Sequence, residues 1–245
     1  MANLSKNAVG LFDSHCHIHD RRLDGIRDAV IERAISAGVS GCMTCGTSPA
    51  DWESVASMQS RPGFEIEKAF GVHPWFIDKL GDDWQDILRG YLLKFPQAWV
   101  GEIGLDAAKE PGITEKARRI LESQLIIAKE LRRPVMLHGV KCLDELLSAI
   151  RPFAGVIPGF AIHCFSGSEV QLRRWLDLGA KISIGGAVLK SARLRRLAAL
   201  IPPGQLLIET DSPDMLPPGA EPAVPGTNLN QPSNLVLVKA AIENR

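Results

Sequence analysis

The feature that most restricts the fold of this chain is a repeated alternation: short apolar, β-branched runs, each followed by a longer segment of helical period. The runs are VGLF (9–12), VSGCMTC (39–45), EIEKAF (65–70), AWVGEIG (98–104), PVMLH (134–138), GFAIH (159–163), AKISIG (180–185) and LLIET (206–210). Helix-period stretches lie at 24–37, 49–59, 84–95, 114–131, 141–151, 169–178 and 191–200, and Asn234 to Glu243 makes an eighth. Thr114 or Glu115 opens the fourth, Pro49 belongs in the first turn of the second, and Gly38 and Gly179 follow the first and sixth. Strands that alternate with helices require a parallel sheet with crossovers, and eight is the number that closes a barrel. The expected fold is a single (β/α)8 barrel domain over residues 1–245, with a doubly wound open sheet as the alternative. One break in the rhythm stands out: Ser212 to Ser233 holds six of the 16 prolines and has no period. It is too long for an ordinary connection and reads as either functional or disordered.

In such a barrel the chemistry sits at the C-terminal ends of the strands, so the placement of unusual residues is informative. The first run leads into Asp13-Ser14-His15-Cys16-His17, the third into Gly71-Val72-His73-Pro74, and the fourth into Gly101-Glu102-Ile103-Gly104-Leu105-Asp106. The fifth ends at His138, the sixth at His163 and the eighth at Glu209-Thr210-Asp211. Of the six histidines, only His19 lies away from a strand's C-terminal end. In a strand, His15 and His17 share one side and Cys16 takes the other. Neutral imidazole is the commonest metal ligand, and His15, His17, Glu102, His138, His163 and Asp211 form a nitrogen and oxygen set of the kind zinc, manganese or magnesium accepts. Six ligands with a bridging carboxylate suffice for two divalent ions, which activate a water and clamp the oxygens of a displacement.

The segments SHCH, GVHP, GEIGLD, an apolar strand ending in His, HCFSGS and ETDSP, in this order from about Phe12 to Asn234, resemble the TatD family of metal-dependent hydrolases. That resemblance implies an amidohydrolase-like (β/α)8 barrel with two divalent ions, Zn2+, Mg2+ or Mn2+, and deoxyribonuclease activity. It implies that His15 and His17 bind one ion, that His138 and His163 bind the other, and that Glu102 bridges. Asp211 would bind the first ion and take the proton of the metal-activated water. His73 would lie near the substrate's phosphate, with Lys141 and Asn230, the latter within NLNQPSNL (228–235), as further substrate contacts. The chain departs from the family pattern at Ala107, where Tyr is frequent, and at Gly139-Val140-Lys141, where Ser or Thr and then Arg usually follow the histidine. Lys is a point charge without the bidentate fork of Arg. Family members also commonly carry some 15 to 25 further residues, a closing helix this chain lacks.

The expected function is thus a divalent-metal-dependent hydrolase of phosphodiesters, a deoxyribonuclease acting on strand ends or short single strands. A deacylase or amidohydrolase acting on a carbonyl centre, and a catalytically silent barrel scaffold, are the rivals. Lys+Arg and Asp+Glu are both 28, so no bulk charge holds nucleic acid or an anionic membrane. Five irregularly spaced cysteines, no apolar leader and no 18-residue apolar run indicate a cytoplasmic protein, the nucleus left open. Cys42-Met43-Thr44-Cys45 lies within a strand and reads as buried small residues with the two thiols on opposite faces. Arg173-Arg174 and Arg193 to Arg196 read as solvated helix faces, and Trp75, Trp84 and the other aromatics as too scattered for a base-stacking platform.

Overall fold

The computed structural model describes residues 10–109 and 112–243. Its strands are β1 (Leu11–Cys16), β2 (Val39–Cys45), β3 (Glu65–Phe70), β4 (Trp99–Asp106), β5 (Val135–Val140), β6 (Phe160–Ile162), β7 (Lys181–Ile184) and β8 (Leu206–Ile208). All run parallel in the order β1 to β8. The helices between and after them are α1 (Arg27–Ser36), α2 (Trp52–Ser57), α3 (Trp84–Lys94), α4 (Glu115–Glu130), α5 (Leu143–Ile150), α6 (Glu169–Asp177), α7 (Ala192–Leu200) and α8 (Leu235–Glu243). This is the (β/α)8 barrel, and the open-sheet alternative falls. No helix of the described residues is long and apolar enough to cross a membrane.

Local chemistry explains most boundaries. Thr114 caps α4 by accepting from the Ala117 amide, Ser168 and Gln171 form a capping box on α6, and Gly38 and Gly179 take left-handed φ of 83° and 88° after α1 and α6. Three details differ from expectation. Helix α1 starts at Arg27 because a short 3-10 turn, Arg21–Leu23, precedes Gly25 with its φ of 77°. Pro49 lies in the turn before α2, whose first residue is Trp52. Strand β1 runs to Cys16 rather than stopping at Phe12, because its ladder with β2 continues through the polar residues to a Cys16–Thr44 pairing.

The barrel interior is filled by side chains that include Met43, Cys45, Ala69, Trp99, Met136 and Ala161, while Cys42 packs toward α1 with Val30 and Ile31. Both thiols of the CMTC segment are buried on opposite faces of β2, as period 2 requires. The seam between β1 and β8 closes at the C-terminal mouth, beyond the end of β8. There the Asp211 amide donates to the His15 carbonyl (3.0 Å), the His17 amide donates to the Ser212 carbonyl (2.6 Å), and the buried Asp13 carboxylate accepts from Thr210 N (2.9 Å) and Thr210 Oγ1 (2.5 Å). Closing the barrel therefore brings the first and last site segments together. The proline-rich loop after it is packed: Asp214 receives two bonds from Arg22, and Arg33 reaches both Gln231 and the Ala223 carbonyl.

At the opposite end of the barrel, Glu67 lies on the face of β3 that carries Ala69 and pairs in register with Met43. Burial, with the Glu65 charge beside it, pushes its carboxyl up from 4.5 to about 7 against the opposing effect of Lys181. The folded chain then keeps a proton that the unfolded chain has released, so stability falls as pH rises from about 4.5 through 7. Glu67→Gln is expected to change little near pH 4 and to stabilise by about 1 to 3 kcal/mol at pH 8, less than the full shift because the group keeps some solvent. Urea midpoints of wild type and variant at both pH values check this; coincident midpoints at pH 8 count against it.

Candidate metal centre

Glu102 occupies the middle of the mouth, 3 % exposed as a side chain, and its two oxygens face different partners. Oε2 lies 3.3 Å from His15 Nε2 and 3.6 Å from His17 Nε2. Oε1 lies 2.8 Å from His138 Nδ1, 2.8 Å from His163 Nε2 and 3.5 Å from His73 Nε2. Asp211 Oδ1 completes the first group at 3.6 Å from His15 Nε2 and 3.4 Å from His17 Nε2. Gly104 makes the arrangement possible: a Cβ there would strike the His138 carbonyl oxygen, so only glycine lets β4 approach β5 closely enough.

The donor set fits divalent cations. Ligand atoms about 2.0 to 2.2 Å from one ion lie about 3 to 3.5 Å from one another, which is the spacing of His15, His17, Glu102 and Asp211. His138 Nδ1 and His163 Nε2 are 3.0 Å apart on the same Glu102 oxygen, a second convergence of lone pairs. His15 is fully buried, yet neither ring nitrogen has a hydrogen-bond partner. An imidazole so placed is costly unless a ligand satisfies it.

Neighbours fix which nitrogen each ring presents. His17 Nδ1 donates to the Cys45 carbonyl (2.7 Å), leaving Nε2 toward the carboxylates. His138 turns Nε2 to Asp106 Oδ2 (3.2 Å), leaving Nδ1 inward. His163 Nδ1 faces Glu209 Oε1 at 3.6 Å, and that carboxylate is itself held by the Cys164 amide. His73 accepts the Trp75 amide at Nδ1 (3.1 Å), which leaves Nε2 toward Glu102. Arg193 bonds the carbonyls of Ser166 and Gly167 and so braces the loop after His163, while Arg195 bonds those of Val188 and Leu189. The basic run is used on backbone and is not merely a solvated face.

Electrostatics points the same way. Burial would raise the Glu102 carboxyl, but the surrounding imidazoles, His163 first, hold it well below the usual carboxylate range. Asp211 is likewise lowered, with burial outweighed by the His17 hydrogen bond. Burial keeps His15 below its ordinary value and takes His73 down to about 3. His17 is raised to about 9 because the Asp211 contact overcomes its burial. Bonds from Asp106 and Glu102 raise His138 and the Glu102 charge raises His163 well above its ordinary value, each against burial, so the ionised carboxylates draw positive charge into the pocket. Strained backbone gathers here too: Lys141, Cys164 and Asp211 have φ of 57°, 49° and 56°, each at the end of a strand or just past it.

Seven of the expected site residues thus converge: His15, His17, His73, Glu102, His138, His163 and Asp211. Two do not join them. Lys141 is exposed and has no hydrogen bond or ion pair among the described residues. Asn230, expected at the substrate, is fully buried, and its amide is spent on the Thr210 carbonyl, Gln231 N and Asn234. Its bonds hold the loop after β8 in shape. Conversely, Asp106 and Glu209 face site imidazoles and Asp13 ties β1 to Thr210, roles the linear pattern alone does not assign.

A closed barrel with this mouth defines the class as metal-dependent hydrolases built on the (β/α)8 fold. Residues 12–244 match the model of the TatD related DNases. The chain is 30% identical over 235 residues to the 3'-5' ssDNA/RNA exonuclease TatD of Citrobacter koseri, covering 95% of this chain and 90% of that one. It is 32% identical over 239 residues to the Klebsiella pneumoniae protein of the same name, covering 95% and 89%. The crystal structure of a TatD homologue from Escherichia coli superposes with a TM-score of 0.84 at 30% identity, covering 95% of this chain and 88% of that one. The chain belongs to the TatD family.

Proposed function

We propose that this protein is a phosphodiesterase that removes nucleotides from the ends of single-stranded nucleic acid, DNA foremost, using two divalent ions. The observation that supports it most is the division of Glu102, with one oxygen toward His15, His17 and Asp211 and the other toward His138 and His163. His15, His17 and Asp211 would hold one ion, His138 and His163 the other, and Glu102 would bridge, with Zn2+, Mg2+ and Mn2+ as the candidates. When bound, such ions lower the pKa of a water and offset the charge that builds on phosphate oxygens. The chain's residues supply the rest. Asp211, the most solvent-reachable of the carboxylates at 16 %, accepts the proton of the attacking water. His73, neutral and aimed at the same centre, donates to a phosphate oxygen. The named activity of the Citrobacter and Klebsiella relatives supports the choice of single strands and of an end.

The test is metal analysis of the purified protein beside a nuclease assay on single-stranded oligonucleotides. Chelation with EDTA is expected to stop cleavage, and Mg2+, Mn2+ or Zn2+ to restore it. Hydrolysis of acyl esters or amides with no cleavage of nucleic acid would overturn the proposal in favour of carbonyl chemistry, and inactivity of the metal-loaded protein on all three would favour a silent scaffold.

A further inference from the structure

Of the five tryptophans, Trp52, Trp84, Trp99 and Trp175 are at most 7% exposed, whereas Trp75 is 51% exposed. It follows His73-Pro74 in the 3-10 turn Pro74–Lys79 at the mouth. Its ring is bare but not loose. The indole N–H donates to Asp106 Oδ2 at 2.8 Å, and the same oxygen holds His138. The ring centroid stands 5.1 Å from that of His73 and 6.5 Å from that of His138. The turn after β4 offers no cover, since Ala107 and Ala108 are small and exposed. Lys109 places its ammonium 4.7 Å from the ring centroid.

We propose that Trp75 is the platform on which an unpaired nucleobase stacks while the adjoining phosphate lies at the metal centre, an inference that rests on the nucleic-acid reading above. A large apolar ring left in water, fixed in orientation and set beside the reacting site is pre-organised for a flat aromatic partner. Base stacking on an aromatic side chain is worth roughly 5- to 150-fold in affinity, whereas an exposed cation over a ring is worth about 2- to 5-fold. A base therefore displaces Lys109, whose flexible ammonium is freed to meet a phosphate. A base inside a duplex already has both faces covered, so the platform selects unpaired ends. Every base has a π-face, so it tolerates any sequence, in DNA or RNA.

The experiment compares metal-loaded wild type, Trp75→Phe and Trp75→Ala on a single-stranded deoxyoligonucleotide and on the same strand with an abasic terminal residue. Both variants lack the N–H to Asp106, so the difference between them isolates stacking. Trp75→Ala is expected to raise KM on the intact strand about 5- to 150-fold over Trp75→Phe, with the loss falling on KM more than on kcat. On the abasic strand the two variants should coincide. Because the other tryptophans are buried, the fluorescence quenching of wild type by the oligonucleotide should be lost in Trp75→Phe. Equal KM for Phe and Ala variants on the intact strand, or quenching retained in Trp75→Phe, overturns the platform and leaves the nuclease reading standing. Wild type that cleaves neither strand with any of the three metals overturns both.

Discussion

Replacing Glu102 by glutamine is expected to cost at least one equivalent of bound metal and to lower turnover by more than about 100-fold. That exceeds the roughly 10- to 100-fold expected of a residue that merely orients a ligand. The reason is the division of its oxygens. Oε2 faces the nitrogens of His15 and His17, and Oε1 faces those of His138 and His163. Glutamine keeps the shape but offers one oxygen and one NH2, so whichever way it turns, a donor points into one of the two sets of converging lone pairs. The fold should survive, because β4 is held by its ladders to β3 and β5 and by the packing of Val100, Ile103 and Leu105. Metal content by atomic emission, turnover, and a thermal melt read the three consequences. A variant that keeps two ions and turns over within tenfold of wild type would falsify the bridging role.

The architecture and the inner ring of the site were both legible in the sequence, and for related reasons. Alternation of β-branched runs with helical periods leaves few parallel arrangements, and a barrel puts every strand's C-terminal end at one mouth. Five histidines at the ends of four strands could then be read as neighbours without any distance being known. The partners of those histidines were harder. Asp106 closes the GEIGLD segment, but nothing in the linear pattern says that its carboxylate takes both His138 Nε2 and the Trp75 indole, because that depends on where the turn after β3 lies over the end of β4. Thr210 and Asp13 are 197 residues apart and meet only when β8 closes on β1. Asn230 shows the converse error: an amide in a loop near the site looks available for substrate until the loop's own carbonyls claim it. Trp75 was discounted for the same kind of reason. Scattered aromatics in sequence argue against a stacking surface, and only the fold shows that one exposed ring stands beside the site.

Asp211→Asn is expected to lower kcat by about 10²- to 10⁴-fold, the usual worth of a positioned general base, while metal content and KM change little. Asp211 has two tasks at the mouth that this substitution separates. Its backbone closes the barrel, since its amide donates to the His15 carbonyl at 3.0 Å while its own φ is 56°. Asparagine tolerates that left-handed conformation, so the seam and the placement of His15 should persist. Its Oδ1, 3.4 Å from His17 Nε2, has a counterpart in the amide oxygen, which can still face an ion. What the amide cannot do is accept a proton. In wild type the carboxylate is ionised across the neutral range, because the His17 hydrogen bond holds it below its usual value despite burial, so it is ready to act in every turnover. Asp211→Ala supplies the contrast, removing the oxygen as well and thus metal along with turnover. Steady-state kinetics and metal content of both variants separate the roles. Near-normal kcat with a raised KM in Asp211→Asn would make Asp211 a binding residue, and the proton would have to leave by another group at the same mouth.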